Sequence, residues 1–424
     1  ADFTADMEAF SRQMNGPAHV HRQTQTPVPA QRHWPSQGLG SLTPCHAQQH
    51  AAPSGRHRAH RAHRRQLLSS GLLLSSSILS PVARGISAAC VEEAVLQPAS
   101  PSGSHLNPPT YVTATGRIVA IGDLHGDWQK SIDAFRTAGV ISIADGQVVW
   151  TGGDTVVVQL GDVMDRGDNE IAIVKLLRAL DIQAREQGGA VYMINGNHES
   201  LNLCGDFRYV TPGAFVESAL YAGLVESELR DWELLARVRL AVYKPGGPMA
   251  MELSKNSTVL VVNDTVFAHG GLLPVHAAYG IERLNNEVSA WMRADRTLEG
   301  GKASPPFLAM GDGSSVMWNR TLSKERFPST YERFHACNAL EQALHKVGAK
   351  RLVVGHTPQL GGANCECDNT VWRIDVGMSH GVLNRPAQVL EIKENEMGKA
   401  IVRVLPTGSM NSSSFDEEMG DVDL

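Results

Sequence analysis

Five short loops carry most of the chemistry open to this chain. They are Gly122-Asp123-Leu124-His125-Gly126, Gly161-Asp162-Val163-Met164-Asp165-Arg166-Gly167, Gly196-Asn197-His198-Glu199, His269-Gly270-Gly271 and Gly355-His356-Thr357. They offer Asp and Asn oxygens and His nitrogens but no thiolate, a set that suits a borderline divalent metal such as Mn, Fe or Zn. Too few carboxylates gather for an all-oxygen calcium cage. A carboxylate shared by two ions would make a dinuclear site with metals about 3.5–4 Å apart. Any one loop has a plainer reading, because an Asp or His after a strand commonly caps a helix or closes a turn. Five in this order point to a site.

Each loop follows an apolar run. The β-rich segments Arg117–Ile121, Thr155–Leu160, Ala190–Ile194, Val259–Val262, Val266–Ala268, Leu352–Val354, Val371–Ile374 and Val389–Ile392 read as strands. Amphipathic stretches at 128–138 and Asn169–Arg185 read as helices. Strands and helices taking turns predict α/β packing, whose sites lie at the carboxyl ends of the strands.

The chain has 424 residues and a net charge of −6, which argues against a general nucleic-acid binder. No run reaches the roughly 18 to 20 apolar residues of a membrane span. Six Cys are too few for a disulfide scaffold. The charge is unevenly spread. Residues 1–110 hold nine Arg and no Lys against five acidic residues, a net of +4, so the remainder carries −10. No acidic residue lies between Glu8 and Glu92, and the stretch is rich in Arg, His, Gln, Ser, Ala and Pro, as transit peptides are. Within it, residues 64–89 carry Arg64-Arg65, the 13-residue apolar run Leu67–Leu79 and the small-residue site Ser87-Ala88-Ala89, the pattern of a twin-arginine signal. The reading is a disordered organellar targeting region over 1–110, chloroplast-directed and onward towards the thylakoid. A catalytic domain follows over 111–405, then a disordered acidic tail over 406–424.

GDxHG, GDxxDRG, GNHE, HGG and a late Gly-His, intact and in order, resemble the phosphoprotein phosphatase family of the metallophosphoesterases. Gly205-Asp206-Phe207-Arg208-Tyr209-Val210 and Trp372-Arg373-Ile374-Asp375-Val376-Gly377-Met378-Ser379 resemble its Shewanella-like subgroup, and the leader fits that subgroup's plastid-type branch. The resemblance implies a metallophosphoesterase-like β-sandwich flanked by helices (αββα), with the dinuclear site at the carboxyl ends of the strands. It implies that Asp123 and His125 hold one metal, that Asp162 bridges, and that Asn197, His269 and His356 hold the second. His198 would be the general acid, oriented by Asp165. Arg166 would bind phosphate oxygens, with Arg320 as the second arginine. Two divalent ions, Mn foremost and Fe or Zn as alternatives, and a phosphoprotein substrate complete the expectation.

The chemistry fits these residue types. Two metals lower the pKa of a bridging water from about 16 towards 7 and clamp the oxygens in line. An arginine donates two parallel hydrogen bonds to phosphate, which a lysine cannot match. A serine or threonine oxygen must be protonated as it leaves, a role that suits His198. Two other readings stay open: a phosphoesterase of small molecules such as dinucleoside polyphosphates, and a phosphoprotein-binding module without turnover.

The remaining polar features read more plainly. Cys365-x-Cys367, Cys204 and Cys337 read as surface or packed cysteines, and His276, His335, His345 and His380 as structural. Asp206 and Arg208 read either as a surface ion pair or as part of a cleft wall.

Overall fold

The structure is a computed structural model that describes residues 107–144, 146–295, 306 and 313–407. The chain divides into two compact units, 1–79 and 80–424, and all of the first lies outside the described residues. The targeting region up to residue 106 and the tail beyond 407 lie outside them as well.

β1 (Tyr111–Val112) and β2 (Ile118–Ile121) precede α1 (Trp128–Thr137). β3 (Ile141–Ala144), β4 (Gln147–Trp150) and β5 (Val156–Gln159) lead into α2 (Glu170–Glu186). After β6 (Ala190–Met193) come α3 (Asn197–Leu203), α4 (Pro212–Tyr221), α5 (Trp232–Tyr243) and α6 (Pro248–Leu253). β7 (Val259–Val262) and β8 (Thr265–Ala268) follow, then α7 (Pro274–Tyr279), α8 (Ile281–Met292) and α9 (Thr330–Val347). β9 (Arg351–Val354), β10 (Asn364–Glu366), β11 (Val371–Arg373), β12 (Gln388–Glu394) and β13 (Ala400–Pro406) close the fold.

One sheet has the order β13-β12-β2-β5-β6, the other β1-β7-β8-β9-β11-β10, and β3 and β4 form a separate hairpin. β2, β5 and β6 pair in parallel, as do β8, β9 and β11. Alternation along the strands builds the layers. Ile118 and Ala120 of β2, Val156 and Val158 of β5, Leu260 and Val262 of β7, Phe267 of β8 and Val353 of β9 share one buried cluster between the sheets. Their neighbours Val119, Ile121, Val157, Val259, Val261, Val266, Leu352 and Val354 pack instead with the helices. This is the expected αββα sandwich. Strands buried on both faces read as uninterrupted apolar runs, which is why the sequence exposes them. Truncating one such side chain, Ile121 for instance, would cost about 2–5 kcal/mol.

All the expected strands and both expected helices form, with no end shifted by more than two residues. β13 continues through Pro406, whose register partner is Gln388, so the sheet reaches the first residue of the expected tail. Among the described residues, no helix is long and apolar enough to cross a membrane.

Candidate metal centre and active site

The five loops leave the carboxyl ends of β2, β5, β6, β8 and β9, so both sheets deliver side chains to one place. The backbone bends hard there. His125, Asp162, Asp165, Arg166 and His356 all adopt positive φ, at 48°, 52°, 70°, 66° and 69°. Non-glycine residues rarely occupy that region, and such strain gathers where function demands a fixed side-chain direction. Buried Glu199, in the first turn of α3, holds the bend: its carboxylate accepts from the N–H groups of Asp162 (2.9 Å), Val163 (2.8 Å) and Gly196 (2.6 Å). Glycine is required at two contacts. A Cβ on Gly196 would collide with the Asp162 carboxylate, and one on Gly355 with that of Asp123.

The donors form two buried groups, His125–Asp162–His198 and Asp162–His269–His356, in each of which the ligand atoms lie within 4.8 Å of one another. Asp162 belongs to both, the position expected of a bridging carboxylate. His269 Nδ1 meets Leu160 O at 2.7 Å, which leaves Nε2 facing Asn197 Oδ1 (3.0 Å) and Asp162 Oδ2 (3.2 Å). His125 Nδ1 meets Met164 O at 3.0 Å and likewise frees its Nε2. In His356 it is Nε2 that meets a carbonyl, Trp318 O at 3.1 Å. A carbonyl on one ring nitrogen fixes the tautomer and aims the other as a ligand.

Asp123 lies outside the two tight groups but adjoins them. Its carboxylate accepts from His356 N–H at 3.1 Å. Burial and the carboxylates of Asp375 and Asp162 hold it well above the usual carboxylate range. Burial also pushes Asp375 up to about 6, against the hydrogen bond from Gly377 N–H. For Asp162 burial opposes ionisation, yet His269 and His198 hold it well below the ordinary value. Burial, with His198 beside it, takes His125 down to about 4, so its ring is neutral at neutral pH. Crowded buried carboxylates ringed by imidazole nitrogens are an arrangement that bound cations relieve. The donor set therefore fits two divalent ions sharing Asp162.

His198 falls inside the first donor group, but its Nδ1 is committed to Asp165 Oδ2 at 2.5 Å, and its Nε2 stands 3.8 Å from Asp162 Oδ2. Burial opposes its protonation, while Asp162 and Asp165 raise its pKa above the ordinary value. Arg166 lies alongside. Its N–H donates to Tyr209 O at 2.9 Å, its guanidinium sits 4.9 Å from the Tyr209 ring centre, and buried Nε has no partner among the described residues. Arg320 is exposed beside the second group and donates to Thr357 Oγ1 (2.7 Å) and His356 O (3.1 Å). All ten expected site residues thus come together.

Several residues went unread. Asn202, one turn after His198 on α3, donates to Asp165 Oδ1 at 3.0 Å; Glu170 accepts from Asp165 N–H at 2.6 Å; and the Tyr209 ring lies 5.2 Å from that of His198. The i, i+4 spacing of His198 and Asn202 was the available signal. One expectation is corrected. Cys337 and Cys367, read as packed or surface residues, form a disulfide, because α9 runs beside the β10–β11 turn; Cys204 and Cys365 are free. Asp206 and Arg208 form an exposed ion pair at 2.6 Å. His276 is structural, held between Leu273 N–H and Ser314 O.

The sequence and fold find relatives. The calcineurin-like phosphoesterase family model matches residues 116–360. Shewanella-like protein phosphatase 2 of Arabidopsis thaliana is 38% identical over 340 residues, 71% of this chain and 81% of the relative. Shewanella-like protein phosphatase 1 of Plasmodium berghei is 31% identical over 277 residues, 65% and 71% of the two chains. A cold-active protein-tyrosine phosphatase of a psychrophilic Shewanella species superposes with a TM-score of 0.51 at 21% identity, over 71% of this chain and 84% of that one, a likeness of fold. The chain belongs to the calcineurin-like phosphoesterase family and, within it, to the Shewanella-like protein phosphatases.

Proposed function

We propose that the chain is a metal-dependent phosphoprotein phosphatase that hydrolyses phosphoserine and phosphothreonine, with phosphotyrosine open to the same chemistry. One observation carries the reading: Asp162 is shared by two donor groups while the His198–Asp165 pair opens onto the same carboxylate. Asp123, His125 and Asp162 are assigned to one ion and Asp162, Asn197, His269 and His356 to the other, with Mn proposed first and Fe or Zn as alternatives that the donor types suit equally. When bound, two such ions activate a water and polarise the phosphoryl oxygens.

The chain's own residues do the rest. Arg166 grips the phosphate through the donors its packing leaves free, and Arg320 offers a second guanidinium from the rim. His198 holds a proton on Nε2 and releases it to the departing alcohol oxygen, while Asp165 stabilises the charged ring through Nδ1. Hydrolysis of matched phosphoserine, phosphothreonine and phosphotyrosine peptides by the full chain, after chelation and readdition of Mn, Zn or Fe, tests the reading. Metal-restored peptide turnover is expected; turnover confined to dinucleoside polyphosphates would replace it with a small-molecule function.

For location, the Arg-rich leader with its Arg64-Arg65 signal supports a chloroplast protein carried towards the thylakoid. The Cys337–Cys367 disulfide fits an oxidising compartment. Immunodetection in purified chloroplast fractions tests this, and signal only outside them would reject it.

A further inference from the structure

The helices between β6 and β7 send one charged side chain back beneath the site. Along α5, Leu235, Arg239, Val242 and Tyr243 face inward, so Arg239 occupies a position where an apolar residue is the ordinary choice. It is completely buried. All five of its N–H donors are nonetheless used. Nε and Nη2 reach Asn202 Oδ1 at 3.1 and 2.7 Å, Nη2 also reaches Glu170 Oε2 at 2.7 Å, and Nη1 reaches Ala214 O at 3.1 Å and Ser218 Oγ at 2.9 Å. The guanidinium lies over the rings of Tyr243, Phe207 and Phe215, 4.5, 5.5 and 5.6 Å from their centres.

Both acceptors of its strongest contacts also hold Asp165. Asn202 spends its Oδ1 on Arg239, which fixes the amide so that Nδ2 donates to Asp165 Oδ1 at 3.0 Å and to His198 O at 3.0 Å. Glu170 gives Oε2 to Arg239 and Oε1 to Asp165 N–H. The other Asp165 oxygen is thereby aimed at His198 Nδ1. Through Phe207 the same guanidinium also packs the segment that carries Tyr209 over His198 and Arg166.

An ion pair at this depth is poor value as a source of stability, since desolvation offsets most of the attraction and apolar side chains would pack as well. Its geometry serves orientation instead, because only a planar fork can meet Asn202 and Glu170 together while stacking on aromatic rings. We propose that Arg239 is a positioning residue for proton delivery: through Asn202 and Glu170 it holds Asp165, and so His198, at the angle from which the leaving oxygen is protonated. The proposal rests on the phosphatase reading above. It adds that the helical segment between β6 and β7 takes part in catalysis without touching substrate.

The test compares the full chain, Arg239→Lys and Asn202→Ala on a phosphoserine peptide and on an aryl phosphate with a good leaving group, with bound metal counted in each. Misaiming a catalytic group by about 1 Å costs on the order of 100-fold, and only the poor leaving group depends on the proton. Both variants are expected to keep wild-type metal content, to lose about 10- to 100-fold in kcat on phosphoserine, and to lose only a few-fold on the aryl ester. Equal losses on both substrates, or an Asn202→Ala enzyme unchanged on both, would overturn the proposal. Asn202→Ala leaves the Arg239–Glu170 pair intact, so it decides the matter even where Arg239→Lys does not fold. Absence of turnover by the unmodified chain on either substrate would instead count against the phosphatase reading itself.

Discussion

His198 Nδ1 and Asp165 Oδ2 stand 2.5 Å apart, with the Asp165 side chain wholly buried and that of His198 nearly so. Burial removes competing water, so the pair fixes both the tautomer and the direction of the ring. His198→Ala should therefore retain two bound metals yet lose about 100- to 10,000-fold in kcat on alkyl phosphates, the usual worth of a general acid. On an aryl phosphate the loss should be much smaller. A Brønsted plot of rate against leaving-group pKa checks this; a slope no steeper than that of the wild type would remove His198 from the acid role.

Asp162 is the residue common to both donor groups. Its replacement should therefore damage both ions together, whereas loss of an outer ligand weakens one. Asp162→Asn should carry clearly less than two metals per chain by mass spectrometry and melt close to the temperature of the chelated wild type, because ligand-linked stability vanishes with the ligand. Full metal occupancy in this variant would end the bridging assignment.

Among the described residues, Arg166 keeps a buried Nε without a partner while its backbone N–H is tied to Tyr209 O. A lysine at this position would keep the charge and lose the two-pronged hydrogen bond. Arg166→Lys should weaken inhibition by inorganic phosphate roughly tenfold, about 1.4 kcal/mol, the worth of one charge-assisted hydrogen bond. Competition assays read it directly, and an unchanged inhibition constant would show that the guanidinium geometry does not matter.

The sequence displays those parts of the fold whose burial is local. Ile118–Ile121 and Val156–Gln159 are covered on both faces, so they stand out as apolar runs, and the ligand loops stand out because glycine must flank them. The hairpin Ile141–Trp150 is half exposed and carries a mixed pattern, so it passes as loop. Arg239 was hidden for another reason. A charge among apolar helix positions looks like a snorkelling side chain until Glu170, 69 residues away, is placed beside it. Cys337 and Cys367 were hidden similarly, since their pairing depends on how α9 packs and not on any spacing between them.

That disulfide joins residues 30 apart. Closing a loop of this length removes conformational freedom from the unfolded chain worth about 3–4 kcal/mol. Cys367→Ser should melt several degrees below the wild type under oxidising conditions. Thiol reductant should bring the wild type down to the variant's melting temperature and leave the variant where it is. A reductant-insensitive wild type would show the bond to be absent in solution or without effect on stability.

His276 offers a pH test away from the metal centre. Its Nδ1 accepts from Leu273 N–H at 3.0 Å and its Nε2 donates to Ser314 O at 2.6 Å, so the neutral ring is the one that fits. Burial holds its pKa below the ordinary 6.5, only partly opposed by Ser314 O. The unfolded chain therefore binds a proton here more readily than the folded one. The associated stability is complete above pH 6.5 and is lost as pH falls towards the depressed folded value. His276→Gln cannot take up that proton, so the wild type should lose its stability advantage over the variant progressively across the range below about pH 6.5. Melting temperatures of the two proteins measured side by side isolate the effect, because every other titrating group is common to both. A difference in melting temperature that stays constant across that range would show that the ring ionises as freely in the folded protein as in the unfolded chain.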